Sequence, residues 1–387
     1  MATALFALKG TRMVKDAIVV GAGIGGLAAA IALAQRGTQV QIFEQAAQIT
    51  EVGAGLQISP NGLVVLRALG VEAALMARGS VQARAVVLAD YKRAGTVARL
   101  DLGRLRDQRY LFVHRADLIE TLAERAAALG VQIHLGQRMS GLTNNGLHGP
   151  MGTAHAELII GADGLHSVVR AALNPASDPF FTGQVAWRAL VETPTGMEQP
   201  VARVTMGPGT HMVSYPLRGG ALTNIVAVQE RKDWAQEGWF HRDDPANLRA
   251  AFATFTGPAR ALLERVEQVH LWGLFRHDVA QCWYRNGAAI LGDAAHPTLP
   301  FMAQGANLAL EDAWVLAAHG GPALTRLRRA RAVKVVAAAN ANARRYHLRE
   351  GPLRQAAHLG LRLGSQLAPE RMMRAFDWIY GVDVTAQ

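Results

Sequence analysis

The chain of 387 residues contains little cysteine and little lysine. Cys282 is its one cysteine, so no disulfide can form within the chain, and this composition fits a reducing cytoplasm. No group of cysteines and histidines has the spacing of metal ligands, and we expect no metal site. Apolar residues make up 50% of the chain and charged residues 18%, which is typical of a globular protein with a sizeable core.

The basic residues are almost all arginine. Only five of the 40 basic residues are lysine, and the formal net charge is +10. Such a charge fits a nucleic-acid partner, an anionic substrate or a codon bias. The densest basic segment, 326–331, lies in a long helical pattern, and no aromatic residues that would stack on bases accompany it. We expect a solvated or subunit-contacting helix there and no nucleic-acid partner.

An uncharged stretch of 18 residues, 17–34, follows Lys9, Arg12 and Lys15, and this order resembles a signal peptide or a membrane span. Four glycines within residues 21–26 would make a poor lipid-facing helix. We therefore expect a buried strand–helix–strand unit, no membrane segment and a cytoplasmic protein.

The glycines of this stretch have the spacing of a dinucleotide-binding loop. Gly21, Gly23 and Gly26 occupy the three glycine positions of G-x-G-x-x-G, and Glu44 follows Gly26 at about the distance of a ribose-binding carboxylate. The surrounding pattern predicts a strand over 17–20, a helix over 27–35 and a second strand over 39–43. A chance match in a chain with 39 glycines is the alternative, but the complete unit favours FAD or NAD.

A second signal for a cofactor follows a predicted buried strand over 288–291. Asp293 places a carboxylate at the carboxyl end of this strand, where open α/β sheets bind ligands such as a hydroxyl chain. Gly305 and Ala306 allow the backbone to approach a ligand closely, and a helix is predicted from Asn307. The partial positive charge at a helix start suits an anionic guest such as a reduced flavin.

Over residues 181–275 the sequence pattern changes to a series of strand-like segments, and it predicts an inserted β-sheet. The predicted strands span 184–191, 201–206, 211–217, 222–229 and 269–274. Within the third strand His211, Val213 and Tyr215 share one face. A histidine and a tyrosine on one face beside a flavin would bind and deprotonate a phenol, and the alternative is a histidine satisfied within the sheet next to a core tyrosine.

Several motifs together resemble the flavoprotein aromatic hydroxylases, the single-component FAD monooxygenases that include salicylate hydroxylase, 3-hydroxybenzoate 6-hydroxylase and 6-hydroxynicotinate 3-monooxygenase. The resemblance extends from about residue 16 to residue 383. The matching motifs are GAGIGG at 21–26, HRADL at 114–118, GADGLHSVVR at 161–170, LGDAAHPTLP at 291–300 and DWIYGVD at 377–383.

The resemblance implies an α/β protein in which a Rossmann-like FAD-binding domain carries an inserted, mainly β-sheet substrate domain and C-terminal helices. The expected parts are residues 13–180 and 276–350 for the FAD-binding domain, 181–275 for the substrate domain and 351–387 for the helical segment. Strands within 81–101 are expected to contribute to the substrate domain. We expect a monomer or a homodimer.

The resemblance also implies roles for residues of the cofactor site. Glu44 would bind the adenosine ribose, Arg115 the phosphate and ribityl region, and Asp293 the ribityl or pyrophosphate end. Asp163 lies in the motif that the family associates with both FAD and pyridine nucleotide. No second G-x-G-x-x-G is present, which fits a family whose NADH or NADPH binds transiently, and His296 is interpreted as structural.

At the substrate site, His211 and Tyr215 match a His-x-x-x-Tyr pair that faces the substrate hydroxyl in related members. Pro300 replaces the glutamine of 3-hydroxybenzoate 6-hydroxylase, which disfavours that particular substrate. The arginine excess favours an anionic hydroxylated aromatic acid, with Arg188 as a weaker candidate for its carboxylate.

The implied reaction is hydroxylation of a small aromatic substrate, a hydroxybenzoate or a hydroxylated N-heterocycle, with NAD(P)H and O2 and through a flavin C4a-hydroperoxide. A neutral imidazole at His211 would take the phenolic proton and make the ring electron-rich. The alternatives are a flavin-dependent reductase or epoxidase on the same fold, and a non-catalytic dinucleotide-binding protein.

Overall fold

A computed structural model describes residues 14–49, 54–105, 108–193, 199–231 and 241–386. Residue 13, where the first predicted domain begins, and residue 387 lie outside the described residues. Within the described part, strands and helices alternate around a parallel sheet, and a second, mainly antiparallel sheet is inserted. The predicted α/β fold is therefore confirmed.

The strands in chain order are β1 (Asp16–Val20), β2 (Gln39–Phe43), β3 (Gly55–Ile58), β4 (Val81–Gln82), β5 (Ala85–Asp90), β6 (Thr96–Asp101), β7 (Leu111–His114), β8 (Gln132–His134), β9 (Gly141–Thr143), β10 (Gly146–Gly149), β11 (Gly152–Ala154), β12 (Leu158–Gly161), β13 (Phe180–Glu192), β14 (Val201–Gly207), β15 (Thr210–Leu217), β16 (Leu222–Glu230), β17 (Arg242–Asp243), β18 (Val269–Arg276), β19 (Tyr284–Arg285) and β20 (Ala288–Ile290).

The helices are α1 (Ile24–Ala34), α2 (Pro60–Ala68), α3 (Glu72–Ala77), α4 (Arg115–Ala128), α5 (Val168–Leu173), α6 (Pro245–Ala251), α7 (Gly257–Glu264), α8 (Gly305–His319), α9 (Gly321–Tyr346), α10 (Pro352–Leu367), α11 (Pro369–Arg374) and α12 (Asp377–Tyr380). None of the helices in the described ranges is long and apolar enough to span a bilayer.

The six-stranded sheet has the order β19-β20-β12-β1-β2-β8, in which β20 through β8 are parallel and β19 is an antiparallel edge. Its central strand β1 is apolar and buried on both faces, as expected for a parallel sheet covered by helices. Helix α1 is buried on nearly every side, which explains the uncharged stretch that also resembled a membrane segment. The carboxyl ends of these strands form the edge where the cofactor motifs lie.

The eight-stranded sheet has the order β17-β18-β13-β16-β15-β14-β5-β6. Neighbouring strands in this sheet are antiparallel, except for the parallel pair β14–β5. Through this pair the segment 85–101 joins strands that follow much later in the chain. One face packs on α6 and α7 through side chains that include Trp187, Met212 and Phe252. The opposite face lines the cavity described below.

Two helices begin earlier than the sequence pattern predicts. Helix α1 begins at Ile24 instead of residue 27, because Gly23 in an extended conformation is its N-cap. Helix α8 begins at Gly305 instead of residue 307. Glycine weakens a helix only modestly in the first turn, and in both cases the earlier start directs free backbone N–H groups toward the cavity.

Candidate active site

One cavity of about 1870 Å³ extends from the glycine-rich loop to the inner face of the eight-stranded sheet. The predicted cofactor residues on its surface, called the cofactor wall below, are Gly21, Gly23, Glu44, Arg115, Asp163, Asp293, Gly305 and Ala306. The opposite surface, called the sheet wall, includes Arg188, His211, Val213, Tyr215, Val226 and Val228. Residues that are nearly 300 positions apart in sequence thus face one space.

The three motif glycines differ in what surrounds them. Gly21 has a φ of +100°, and a Cβ atom there would lie 2.5 Å from the carbonyl oxygen of Ala162. A Cβ at Gly26 would overlap the carbonyl oxygen of Gly21, so this glycine allows α1 to approach β1. Gly23 instead faces open space in the cavity. Gly26 does not line the cavity. It serves the cofactor site indirectly, by allowing the helix to pack closely on the strand.

Glu44 lies directly after β2 and contacts the glycine-rich loop. Its Oε2 atom accepts a hydrogen bond of 2.7 Å from the backbone N–H of Ala22, and its Oε1 atom accepts one of 2.9 Å from Ala46. Each carboxylate oxygen has a second lone pair that these bonds leave available. The side chain therefore fixes the loop and still presents an acceptor to the cavity.

Asp163 follows β12 and carries a buried carboxyl group. Its Oδ2 atom accepts a hydrogen bond of 2.8 Å from the backbone N–H of Val168. Its Oδ1 atom has no hydrogen-bond partner among the described residues, although it is buried. Desolvation raises the pKa of Asp163, and hydrogen bonds from Ser167 and Val168 oppose that effect. This oxygen is enclosed by protein, so the carboxylate stabilises the turn before α5, and a contact of Asp163 with the cofactor stays a prediction.

Asp293 and Arg115 lie across the cofactor wall from each other. Asp293 lies in the turn after β20, deep in the molecule but exposed to the cavity. The surrounding protein desolvates its carboxyl group and raises the pKa of Asp293, while His296 and Arg115 act in the opposite direction. Arg115 begins α4, and its backbone N–H donates a hydrogen bond of 2.9 Å to Ala54. This part of the wall thus offers both an acceptor and a positive charge to a polar ligand.

Helix α8 directs its amino terminus at the cavity through Gly305 and Ala306. Asn307 does not line the cavity. Its Oδ1 atom accepts a hydrogen bond of 3.0 Å from the backbone of Ser59, and its amide donates to Gln57 and Ala303 at 3.0 and 2.7 Å. The side chain of Asn307 therefore joins α8 to α2 and β3, and the prediction that Asn307 binds the cofactor stays a prediction for the backbone N–H groups at the start of the helix.

His296 lies beneath the cofactor wall in a buried ionic network. It is fully buried, stacks at 5.1 Å on Trp283 and hydrogen-bonds Asp312, which also accepts a bond of 2.8 Å from Arg328. Burial opposes the charge of Asp312, but the neighbouring His296 and Arg328 side chains outweigh it and lower the pKa of Asp312. These contacts give His296 a structural position, away from the cavity surface.

On the sheet wall, β15 directs His211, Val213 and Tyr215 into the cavity. Met212 lies on the other face, in the apolar cluster against α6 and α7. This alternation follows from the period of two in a strand. On the neighbouring strand β16, Val228 lies opposite His211 and Asn224 lies opposite Tyr215.

His211 is 1% exposed and has its hydrogen-bond partner outside the sheet. Its Nδ1 atom lies 2.6 Å from Nε2 of His347, which directly follows α9. The rings of Phe301 and Tyr346 lie 5.2 and 5.3 Å from the imidazole. Burial, with a smaller effect of His347, lowers the pKa of His211 well below the usual histidine value. The imidazole is therefore neutral at neutral pH and carries one basic nitrogen.

Tyr215 packs against Phe112, with ring centroids 5.0 Å apart, and against Gly55, where a Cβ atom would lie 2.7 Å from the phenolic oxygen. Burial raises the pKa of Tyr215, so the hydroxyl is neutral and can donate a hydrogen bond. Arg188 lies on the same face of the sheet, with its guanidinium 4.6 Å from the ring centre of Trp272. The positive charge of Arg188 opposes this rise in the pKa of Tyr215. The guanidinium is therefore close enough to act on the tyrosine hydroxyl.

The observed cofactor wall suits FAD. Gly23 leaves space for a pyrophosphate beside the start of α1, and Glu44 presents an acceptor to a ribose hydroxyl. Sequence reasoning missed Gln137 and Arg138, which also line the cavity after β8. The predicted strand before them could have indicated both residues, because a strand parallel to β2 must end at the same edge of the sheet.

Comparison with known proteins decides the family. The family described as FAD binding domain matches residues 15–319. This chain belongs to that family. Two relatives show the same kind of protein. 3-Amino-4-hydroxybenzoate 2-monooxygenase PtmB3 of Streptomyces platensis is 34% identical over 94% of this chain and 95% of that protein. 3-Hydroxybenzoate 6-hydroxylase of Polaromonas naphthalenivorans (strain CJ2) is 32% identical over 95% of this chain and 96% of that protein. The solved structure of Klebsiella pneumoniae HpxO complexed with FAD and uric acid matches with a TM-score of 0.80 and 25% identity over 94% of this chain and 97% of that one.

The predicted resemblance is thus confirmed. The protein is an FAD-dependent monooxygenase of the aromatic hydroxylase type, and NAD(P)H is the typical co-substrate of its family. This membership sets aside the alternative of a non-catalytic dinucleotide-binding protein.

Proposed function

We propose that this monooxygenase hydroxylates a small aromatic acid that carries a ring hydroxyl, and that His211 takes the proton of that hydroxyl. The observation that carries the proposal is the hydrogen bond between His211 Nδ1 and His347. It leaves the other ring nitrogen, Nε2, available on a residue that lines the cavity. The lowered pKa of His211 keeps that nitrogen unprotonated at neutral pH.

The sheet wall supports a small, flat and partly polar substrate. Half of the residues that define it are valines, and the other half, His211, Tyr215 and Arg188, carry its polar groups. An apolar pocket with few converging polar groups is the usual form of a site for a small organic ligand. We assign the substrate hydroxyl to His211 and Tyr215 and the carboxylate to Arg188, whose planar guanidinium suits a carboxylate.

The names of the two curated relatives support this substrate class, since one is named for 3-amino-4-hydroxybenzoate and the other for 3-hydroxybenzoate. Both compounds carry a ring hydroxyl and a carboxylate. Pro300 lies at the cavity surface and disfavours 3-hydroxybenzoate itself. A hydroxybenzoate with a further ring substituent and a hydroxylated N-heterocyclic acid are the favoured candidates.

When bound, FAD supplies the reducing equivalents that activate O2 for transfer to the ring. Glu44, Asp163 and the start of α1 would hold its adenosine and pyrophosphate end, and Arg115, Asp293 and the start of α8 would hold the end nearer the sheet wall. Tyr215 donates a hydrogen bond to the substrate oxygen, and His211 removes its proton, which makes the ring more nucleophilic. The apolar wall excludes water from the reacting atoms.

We further propose that the co-substrates are NADH or NADPH and O2, and that the enzyme works in the cytoplasm as a monomer or a homodimer. The single cysteine supports a reducing compartment.

The test is substrate-stimulated oxidation of NADH and NADPH by the FAD-loaded protein over a panel of hydroxylated benzoates and hydroxylated pyridine carboxylates. Each active compound is incubated under ¹⁸O2, and the product mass is measured. We expect one labelled oxygen in the product and no stimulation by the methyl ether of the same compound. Stimulation confined to rings without a hydroxyl would contradict the proposal and favour another oxygenation on this fold.

A further inference from the structure

We propose that His347 and Glu230 connect His211 to solvent as a proton path, so that the hydroxyl proton of a buried substrate leaves the closed site through the protein. This inference rests on the proposed function, in which His211 removes that proton. It assigns His347 and Glu230 as positioning and proton-transfer residues that do not touch the substrate.

Three consecutive groups form the path. His211 Nδ1 lies 2.6 Å from His347 Nε2, and His347 Nδ1 lies 2.9 Å from Oε1 of Glu230. Each histidine uses one ring nitrogen toward the next group, so the two imidazoles are joined in line. The three residues come from β15, the end of α9 and the end of β16, and only the tertiary fold brings them together.

Exposure increases along the path. His211 is 1% exposed and borders the cavity, the His347 side chain is 1% exposed, and the Glu230 side chain is 49% exposed. A proton on His211 has no direct contact with bulk solvent, whereas a proton on Glu230 does. The order of burial therefore gives the path an inner end at the substrate and an outer end in water.

The charge of Glu230 sets the direction of the hydrogen bonds. An ionised carboxylate only accepts, so His347 Nδ1–H donates to Glu230 and its Nε2 atom accepts. His211 Nδ1–H then donates to that Nε2 atom, and His211 Nε2 remains the basic nitrogen. His347 is the titratable neighbour that acts on the pKa of His211, and Glu230 is the one that acts on the pKa of His347.

The transfer balances over four proton transfers. The substrate O–H bond breaks as its proton bonds to His211 Nε2, and the proton on His211 Nδ1 passes to His347 Nε2. The proton on His347 Nδ1 passes to the Glu230 carboxylate and from there to water. The substrate becomes a phenolate, both imidazoles end neutral, and one proton appears in solution.

The path is tested on the oxidised FAD-loaded protein with 4-hydroxy-3-nitrobenzoate, whose phenolate is coloured, at a pH low enough that the free compound carries its phenolic proton. Stopped-flow mixing in weak buffer follows phenolate formation together with proton release to a pH indicator. We expect both to be fast in the unaltered protein, and roughly 100-fold slower in Glu230→Gln and His347→Phe, the lower end of the usual effect of a missing proton-transfer group. Glu370→Gln changes another exposed carboxylate and is expected to leave both rates unchanged.

The variants separate this inference from the proposed function. His347→Gln keeps a hydrogen-bonding side chain but cannot pass a proton through a ring, so equal slowing in His347→Gln and His347→Phe supports the path. Slow phenolate formation in His211→Gln with unaltered rates in Glu230→Gln and both His347 variants would overturn the path and retain His211 as the base. Absence of phenolate in the unaltered protein would overturn the proposed function and the path with it.

Discussion

The carboxylate of Glu44 and the backbone N–H of Ala22 are joined by a hydrogen bond of 2.7 Å between the end of β2 and the glycine-rich loop. This bond orders the loop before a cofactor arrives. The same carboxylate faces the cavity, so one side chain both shapes the cofactor wall and offers an acceptor to the ligand. A change at Glu44 should therefore affect FAD retention more than protein stability.

Glu44→Arg is expected to weaken FAD retention sharply, because it removes the acceptor and places a bulky cation in the adenosine region. The measurement is the ratio of flavin absorbance to protein absorbance after gel filtration, followed by fluorescence titration with FAD. Glu124→Arg, which alters an exposed carboxylate on α4, is the control and should retain FAD. Equal FAD content in both variants would contradict the assignment of Glu44 to the ribose.

His211→Ala is expected to lower hydroxylation by roughly 100- to 10,000-fold, the usual contribution of a general base. NAD(P)H oxidation should fall less, and H2O2 should rise, because activated oxygen meets a less nucleophilic ring. The measurements are product by mass spectrometry, NAD(P)H absorbance and a peroxide assay on one sample. Full coupling on a phenolic substrate would return His211 to a purely structural role.

Tyr215→Phe retains the ring that packs on Phe112 and removes only the hydroxyl. We expect a rise in KM of about 2- to 13-fold with a small change in kcat, since a neutral hydrogen bond contributes about 0.5 to 1.5 kcal/mol. Steady-state kinetics with the best substrate of the panel measure this effect. A change in kcat as large as that of His211→Ala would mean that Tyr215 also moves the proton.

Arg188→Met should weaken binding of a hydroxybenzoate and leave binding of the matching hydroxybenzamide nearly unchanged. The physical reason is the loss of a charge-assisted hydrogen bond to the carboxylate, which contributes about 1.5 to 3 kcal/mol. Quenching of flavin fluorescence gives both dissociation constants. Parallel weakening of both ligands would show that Arg188 acts by packing on Trp272.

The stability of the protein is expected to fall as the pH is lowered through about 6.5. The folded-state pKa of His211 and of His347 lies below the unfolded value, mainly because both are buried, so the unfolded chain binds protons that the folded chain does not. Stability is therefore greatest above pH 6.5, and each group contributes a slope of up to about 1.4 kcal/mol per pH unit below it. Denaturant unfolding at several pH values measures the slope, which should be smaller in His211→Asn than in the unaltered protein.

The part of the cofactor wall around the glycine-rich loop was largely predictable, because the sequence pattern that indicates it lies within a short stretch of the chain. The strand, the glycine turn and the strand that ends before Glu44 occupy a short stretch, and β2 spans the predicted 39–43. The common face of His211 and Tyr215 followed from strand periodicity alone. Their assigned roles stay predictions until the variants are measured.

The partners of these side chains were not predictable. His211 and His347 are 136 positions apart, and no pattern near His347 indicates that the end of α9 reaches β15. The same limit applies to Asn307, because nothing near it in sequence indicates that its side chain bonds Ser59 and Gln57. Periodicity determines which face a residue occupies, whereas the fold determines what lies opposite.

The order of the strands has a consequence for synthesis of the protein. β20 enters the parallel sheet beside β12 only after the entire inserted sheet has been made, and Asp293 and α8 follow it. A ribosome-bound chain that ends before residue 288 therefore has the glycine-rich loop but only part of the flavin pocket. Such non-local pairing is slow to form, and a ligand that binds only the finished pocket draws the folding equilibrium forward. FAD would thus stabilise the finished chain and leave the partly made one unprotected.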